Sequence, residues 1–251
     1  MSIYSLFQEK IKQGNKQIAV LIDPDKTSDG QLDELIMRSI EAKVDYLFVG
    51  GSLLSNSELP NVVKKLKSGC NIPVILFPGD NLHVDSNADA LLFLSLISGR
   101  NADLLIGKHV SAAPMIREKK LEAIPTGYML IESGTMTAAL YMSNTHPIPH
   151  EKSEIASSTA LAGEMLGLKM IFMDAGSGAT KPVSSDMIKA VKEIITIPLI
   201  VGGGIRTAVK AIESCRAGAD IIVVGNCIED NPDLINELSD AVHSVQTVHS
   251  L

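Results

Sequence analysis

Eight short runs of β-branched and aliphatic residues recur along this chain: QIAVLID, DYLFVGG, IPVILFPG, ADALLFLS, IPTGYMLIESG, LKMIFMDAG, IPLIVGGG and DIIVVGN. Continuous apolar runs of this kind mark strands covered on both faces, and both-face coverage goes with parallel pairing through crossover helices. Helix-compatible patterns fall between them at Gln31 to Ala42, Leu59 to Ser68, Ala112 to Lys120, Ile155 to Leu166, Asp186 to Ile195 and Thr207 to Ala217. Pro232 to Val245 reads as a closing helix with proline near its first turn. The alternation predicts an α/β fold, a (β/α)8 TIM barrel, and 251 residues is the usual size for one such domain spanning residues 1–251. One unit departs from the pattern. Only Gly79 to Ala88 separates the third and fourth strands, and it contains the turn-like DNLHVDSN. A crossover with its helix needs about 10 to 12 residues or more, so helix 3 is expected to be missing or vestigial.

Hydrophobic residues make up 45% of the chain, with 4% aromatics and no Trp, so Leu, Ile and Val must fill the core. The net charge of −7 supplies no basic field to draw the protein to nucleic acid or acidic lipid. No apolar run approaches the ~20 residues of a spanning helix, and the N-terminal MSIYSLFQEKIKQGNKQ lacks the pattern of a signal peptide. A cytoplasmic protein is expected. Cys70, Cys215 and Cys227 are widely spaced without CxxC pairing, which suits reduced thiols used for packing. His146 and His150 have helix-face spacing, but Pro147 and Pro149 argue against a helical metal pair. His83 and His109 read as surface or structural groups.

The last three strands end in glycine-rich turns. Gly202, Gly203 and Gly204 follow the seventh, Gly225 follows the eighth, and AGSGAT from Ala175 to Thr180 follows the sixth. Backbone amides there can approach an anion closely, and in an eight-stranded barrel the loops after strands 7 and 8 are where phosphate binds. Such turns also serve simply as tight connections in α/β proteins. Polar residues at the other strand ends would face the same mouth. Asp23 ends the first strand before Pro24, and Ser52 follows the second. A carboxylate beside a hydroxyl suits Mg²⁺ when substrate phosphates and water complete its octahedron. A turn or capping role is the alternative for Asp23, and Asp25 could replace it as ligand, with Lys26 touching a diphosphate. Asp174, beside the AGSGAT turn, is placed for a general base or for tying that turn down. Tyr128 is either a wall of a groove or core packing.

Taken together, the motifs resemble those of the geranylgeranylglyceryl phosphate synthases and the related heptaprenylglyceryl phosphate synthases. The resemblance rests on LIDPDK (Leu21 to Lys26), FVGGS (Phe48 to Ser52), FPG (Phe77 to Gly79), SGRN (Ser98 to Asn101) and GYMLIESG (Gly127 to Gly134). It continues through PIP (Pro147 to Pro149), DAGSGA (Asp174 to Ala179), VGGGIR (Val201 to Arg206) and VGN (Val224 to Asn226). It implies an altered TIM barrel that joins sn-glycerol 1-phosphate to geranylgeranyl diphosphate with Mg²⁺, and a homo-oligomer. It also implies metal positions at Asp23 and Ser52. Glycerol phosphate positions fall at Phe172, Met173, Asp174, Ala175, Gly176, Ser177, Gly178, Gly203, Gly204, Gly225 and Asn226. The family's strand-six pattern resembles YLEAGSG, whereas this chain has Phe172, Met173 and Asp174, losing an aromatic hydroxyl and one methylene. Fold and anion cradle alone leave two alternatives open, a phosphosugar isomerase or lyase and a non-catalytic phosphate-ligand sensor.

Overall fold

The computed structural model describes residues 2–53, 57–80 and 83–246. Eight parallel strands close on themselves in sequence order. They are β1 (Gln17–Ile22), β2 (Tyr46–Val49), β3 (Val74–Leu76), β4 (Ala90–Leu96), β5 (Glu122–Leu130), β6 (Met170–Asp174), β7 (Leu199–Gly202) and β8 (Ile221–Val224). The closing pair β1–β8 sets Gln17 opposite Ile221 and Val20 opposite Val224. Closure removes the free edges an open sheet would expose.

Alternate side chains divide between two apolar layers, as the pleat requires. Ala19, Tyr46, Phe48, Ile75, Leu92, Phe172, Ile200 and Val223 fill the barrel. Ile18, Val20, Leu47, Ile171, Met173 and Val201 face outward into the layer under the helices. The expected helices are present as α2 (Asp29–Glu41), α3 (Leu59–Gly69), α4 (Lys108–Glu118), α6 (Ser153–Met165), α7 (Ser185–Lys192), α8 (Ala208–Ala217) and α10 (Leu234–His243). Among the described residues no helix lies between β3 and β4, where Asn81 and Leu82 of the DNLHVDSN stretch are outside the description. No helix is long and apolar enough to cross a membrane among the described residues.

Three further helices are not apparent in the strand–helix alternation. α1 (Ile3–Lys12) lies across the end of the barrel where the strands begin. Its Phe7 is fully buried and meets the Tyr46 ring edge-on at 4.5 Å. Its open N-terminus is satisfied by Glu122 of β5, which accepts from the amides of Ile3 (2.7 Å) and Tyr4 (3.0 Å). α5 (Ala138–Ser143) and α9 (Asn226–Asp230) are short insertions on the opposite end. A π-helical turn, Asp103–Gly107, leads into α4. The PIP segment is not helical. Ile148 bridges to Ile131 beyond the end of β5, its amide donating to the Leu130 carbonyl at 2.8 Å.

Candidate active site

The turns after β6 and β7 pack into each other because glycine stands at the points of contact. A Cβ at Gly203 would lie 2.5 Å from the Gly176 nitrogen and 2.8 Å from Asp174 Oδ1. Gly176, Gly203 and Gly204 also adopt left-handed backbone, with φ of 90°, 81° and 73°. The main-chain amides of Ser177, Gly178, Gly203 and Gly204 have no acceptor among the described residues. The Ser177 hydroxyl donates to Asn226 Oδ1 at 2.7 Å, tying the β6 turn to the residue after Gly225. Phe172, Asp174, Gly176, Ser177, Gly178, Gly203, Gly204, Gly225 and Asn226 therefore line one cavity of about 230 Å³ at the barrel mouth.

Two expected contacts are turned elsewhere. Met173 and Ala175 are buried in the layer under the helices and do not line this cavity, because strand parity sends them outward while Phe172 and Asp174 point inward. The helices that follow these turns offer few open amides of their own. The N-terminus of α8 is capped by its own Thr207, whose hydroxyl accepts from the Lys210 amide, and α9 is only 5 residues long. The main-chain donors facing the cavity are the turn amides, joined by the side chains of Lys26, Arg206 and Asn226.

Asp174 is buried at 8% exposure and held at both oxygens. Oδ1 accepts from the Gly176 amide at 2.7 Å, and Oδ2 accepts from the Tyr128 hydroxyl at 2.5 Å. Burial raises its pKa above the usual carboxylate value, opposed by the Tyr128 and Gly176 hydrogen bonds. Burial, and then the neighbouring Asp174 charge, push the Tyr128 hydroxyl well above the ordinary phenol range, so it stays a donor. Tyr128 is thus more than core packing, and sequence reasoning gave no sign of the pairing. Its register partner across the sheet is Phe172, which precedes Asp174 by two residues on the same inward face.

At the opposite rim, Asp23 lies against the second strand's turn, where a Cβ at Gly51 would sit 3.3 Å from Asp23 Oδ1. Ser52 follows directly, and both line the same cavity. Asp23 Oδ2 pairs with Lys26 Nζ at 3.0 Å, and Oδ1 accepts from the Asp25 amide at 3.1 Å. Both capping of its own turn and exposure to the mouth are therefore present at this residue. No cluster of three or more His, Cys, Asp or Glu suited to a metal occurs among the described residues. A single carboxylate with an adjacent hydroxyl suits a hard cation that takes its other ligands from substrate oxygens and water.

A second cavity, about 390 Å³, opens from Ser52 and Tyr128 and runs between the outside of β4 and α4. Leu91, Phe93, Leu96, Ala112, Ile116 and Met142 give it an apolar wall. It occupies the place a crossover helix between β3 and β4 would fill. His109 belongs to this wall, buried edge-on against Phe93 at 4.5 Å with Nε2 3.2 Å from Ser95 Oγ, and desolvation holds its pKa down. Tyr128 borders both cavities, so cradle and groove meet at its ring.

A parallel barrel whose C-terminal mouth joins an amide-lined anion cradle to an apolar groove defines a phosphate-binding (β/α)8 barrel protein. Residues 10–245 match the PcrB family, and the chain belongs to it. It is 53% identical over 246 residues to the geranylgeranylglyceryl phosphate synthase of Chitinophaga pinensis, covering 98% of each chain. The synthase of Methanosphaera stadtmanae is 39% identical, covering 97% of this chain and 100% of that one. The crystal structure of (S)-3-O-geranylgeranylglyceryl phosphate synthase from Thermoplasma acidophilum in complex with substrate sn-glycerol-1-phosphate superposes with a TM-score of 0.91 at 30% identity. That match covers 99% of this chain and 100% of the other.

Proposed function

We propose that this protein forms the ether bond between sn-glycerol 1-phosphate and geranylgeranyl diphosphate, releasing diphosphate. The observation that carries this reading is the meeting of an amide-lined cradle, a buried carboxylate and an apolar groove along Gly51, Ser52, Phe77 and Tyr128, with the Tyr128 hydroxyl on the carboxylate. A small phosphoester fits the cradle, and a long apolar tail ending in a charged head fits the groove and its rim. A phosphosugar isomerase or lyase has no use for the groove. The volumes suit such ligands, the groove falling in the range of about 300–1,000 Å³ common for small-molecule sites.

In the proposed reaction the free amides at Ser177, Gly178, Gly203 and Gly204 hold the phosphate, and Asn226 with Ser177 closes its side. This places the glycerol C3 hydroxyl against Asp174. Asp174 takes the hydroxyl proton as the oxygen bonds to the allylic C1 carbon, while the bond from C1 to the diphosphate oxygen breaks and its electron pair leaves with diphosphate. Orientation of both reactants at one junction supplies a large part of the acceleration. Asp23 and Ser52 would hold Mg²⁺, which supplies charge neutralisation at the departing diphosphate. Lys26, beside Asp23, adds positive charge to that rim.

The cytoplasm is the proposed compartment, supported by three cysteines that form no disulfide. A homo-oligomer is the proposed working state, supported by Met165 and Leu166 at the end of α6, which are 78% and 81% exposed, and light scattering tests it. The activity is tested by mass spectrometry of products after incubation with sn-glycerol 1-phosphate, Mg²⁺ and prenyl diphosphates of several lengths. A prenylglyceryl phosphate is the expected product. Turnover of phosphosugars without prenyl diphosphate would replace this reading by the isomerase, and absence of any turnover would leave a sensor.

A further inference from the structure

We propose that Tyr128 is a positioning residue for the transfer: from β5 its hydroxyl fixes the orientation of Asp174, and its ring closes the groove where the prenyl carbon must arrive. The inference rests on the reading of Asp174 as the base. A carboxylate on a single bond can rotate, and a base must present one lone pair to one hydroxyl. Here the Gly176 amide engages Oδ1 and the Tyr128 hydroxyl engages Oδ2, so rotation breaks two hydrogen bonds in a buried site. Asp is a methylene shorter than the family's usual Glu, which leaves less reach to compensate for a misdirected oxygen.

The arrangement also accounts for Phe172. The family pattern carries an aromatic hydroxyl at this place, and this chain does not. Tyr128 and Phe172 are register partners on neighbouring strands, with ring centroids 5.5 Å apart at 78°. The Tyr128 hydroxyl reaches the residue that ends β6, and the edge of the Phe172 ring lies against Gly202, the register partner of Asp174. Phe77 completes the cluster, 5.7 Å from Tyr128 and 5.3 Å from Phe172. Three aromatic rings thus wall the junction of groove and cradle, and their faces are the electron-rich surface suited to an allylic carbon gathering positive charge.

The charged groups sharing the mouth with Asp174 are Asp23 after β1, Lys26 beyond it and Arg206 after β7. Tyr128 is the donor from β5, and Gly203 after β7 presents only backbone to Oδ1. Loss of the phenol hydroxyl therefore removes a contact that favours the ionised carboxylate and leaves the burial that opposes it.

The test compares Tyr128→Phe, Asp174→Asn and the double variant Tyr128→Phe with Phe172→Tyr, each shown to be folded by thermal unfolding. Tyr128→Phe is expected to lower kcat by about ten- to a hundredfold, the scale of a misplaced reacting group. KM for sn-glycerol 1-phosphate stays near its original value, and the acid limb of the kcat profile moves to higher pH. Returning a hydroxyl from β6 in the double variant recovers most of the lost kcat. An unchanged kcat and acid limb in Tyr128→Phe, with Asp174→Asn inactive, overturns the proposal while leaving the base in place. A loss of kcat with an unmoved acid limb and no recovery in the double variant overturns it equally, as a purely structural effect. Full turnover by Asp174→Asn instead removes the base reading on which the proposal stands.

Discussion

With Asp174 as the proposed base, its burial at the end of β6 is expected to set the pH below which the transfer stops. A base must be ionised, and burial raises the Asp174 pKa, so on the proposed reading kcat falls as pH drops through a value higher than the ordinary 3.8 of a carboxylate. We expect the acid limb of a kcat profile to lie above that value. Asp174→Asn is expected to reduce kcat by about 10²- to 10⁴-fold, the range of one acid–base group, read from initial rates at saturating reactants. At the facing rim, Asp23→Asn is expected to raise the Mg²⁺ concentration for half-maximal rate by at least about tenfold, roughly 1.4 kcal/mol, with KM for sn-glycerol 1-phosphate little changed. A Mg²⁺ titration of the rate checks it, and an unshifted midpoint would remove Asp23 from the metal site.

The turns after β6 and β7 work as one element because Gly176 and Gly203 leave no room for a side chain where they meet. Gly203→Ala puts a Cβ 2.5 Å from the Gly176 nitrogen and a non-glycine residue at φ 81°. The backbone strain alone costs about 1–3 kcal/mol, so chemical denaturation is expected to show a loss of at least that size, together with a raised KM for sn-glycerol 1-phosphate. These turns were legible in the sequence because glycine is itself the signal, and the strands were legible because two-sided burial writes a continuous apolar run. That the described residues between β3 and β4 form no crossover helix was legible from a spacing too short and too polar to hold one. Other features leave no such mark. The inward or outward direction of Met173 and Ala175 depends on strand register, which the apolar run of β6 leaves undefined. The contact of Tyr128 with Asp174 joins residues 46 positions apart on different strands, and α1 docks through Glu122, 119 positions from Ile3. Short-range periodicity contains neither fact.

Across the whole molecule, stability and chemistry occupy opposite ends of the barrel. Near the starts of β1, β7 and β8, Asp220 accepts from the Leu199 amide at 2.9 Å and pairs with Lys192 at 2.6 Å and Lys16 at 3.5 Å. The Lys16 side chain is only 6% exposed, so Asp220→Ala leaves a buried cation without its partner. A loss of about 3–5 kcal/mol is expected on chemical denaturation, with kcat per folded molecule unchanged. A changed KM in that variant would show that the two ends are coupled.

The missing crossover helix has a consequence for the choice of tail. Because a bay is left in the outer shell, an amphiphile can lie astride the wall, its head over the rim and its hydrocarbon outside the filled barrel interior. On the proposed reading, length discrimination is expected to fall to shell residues such as Ala112 and Ile116, which line the groove. If the proposal holds, substitutions there are expected to change the tail accepted while sparing the ether-forming step.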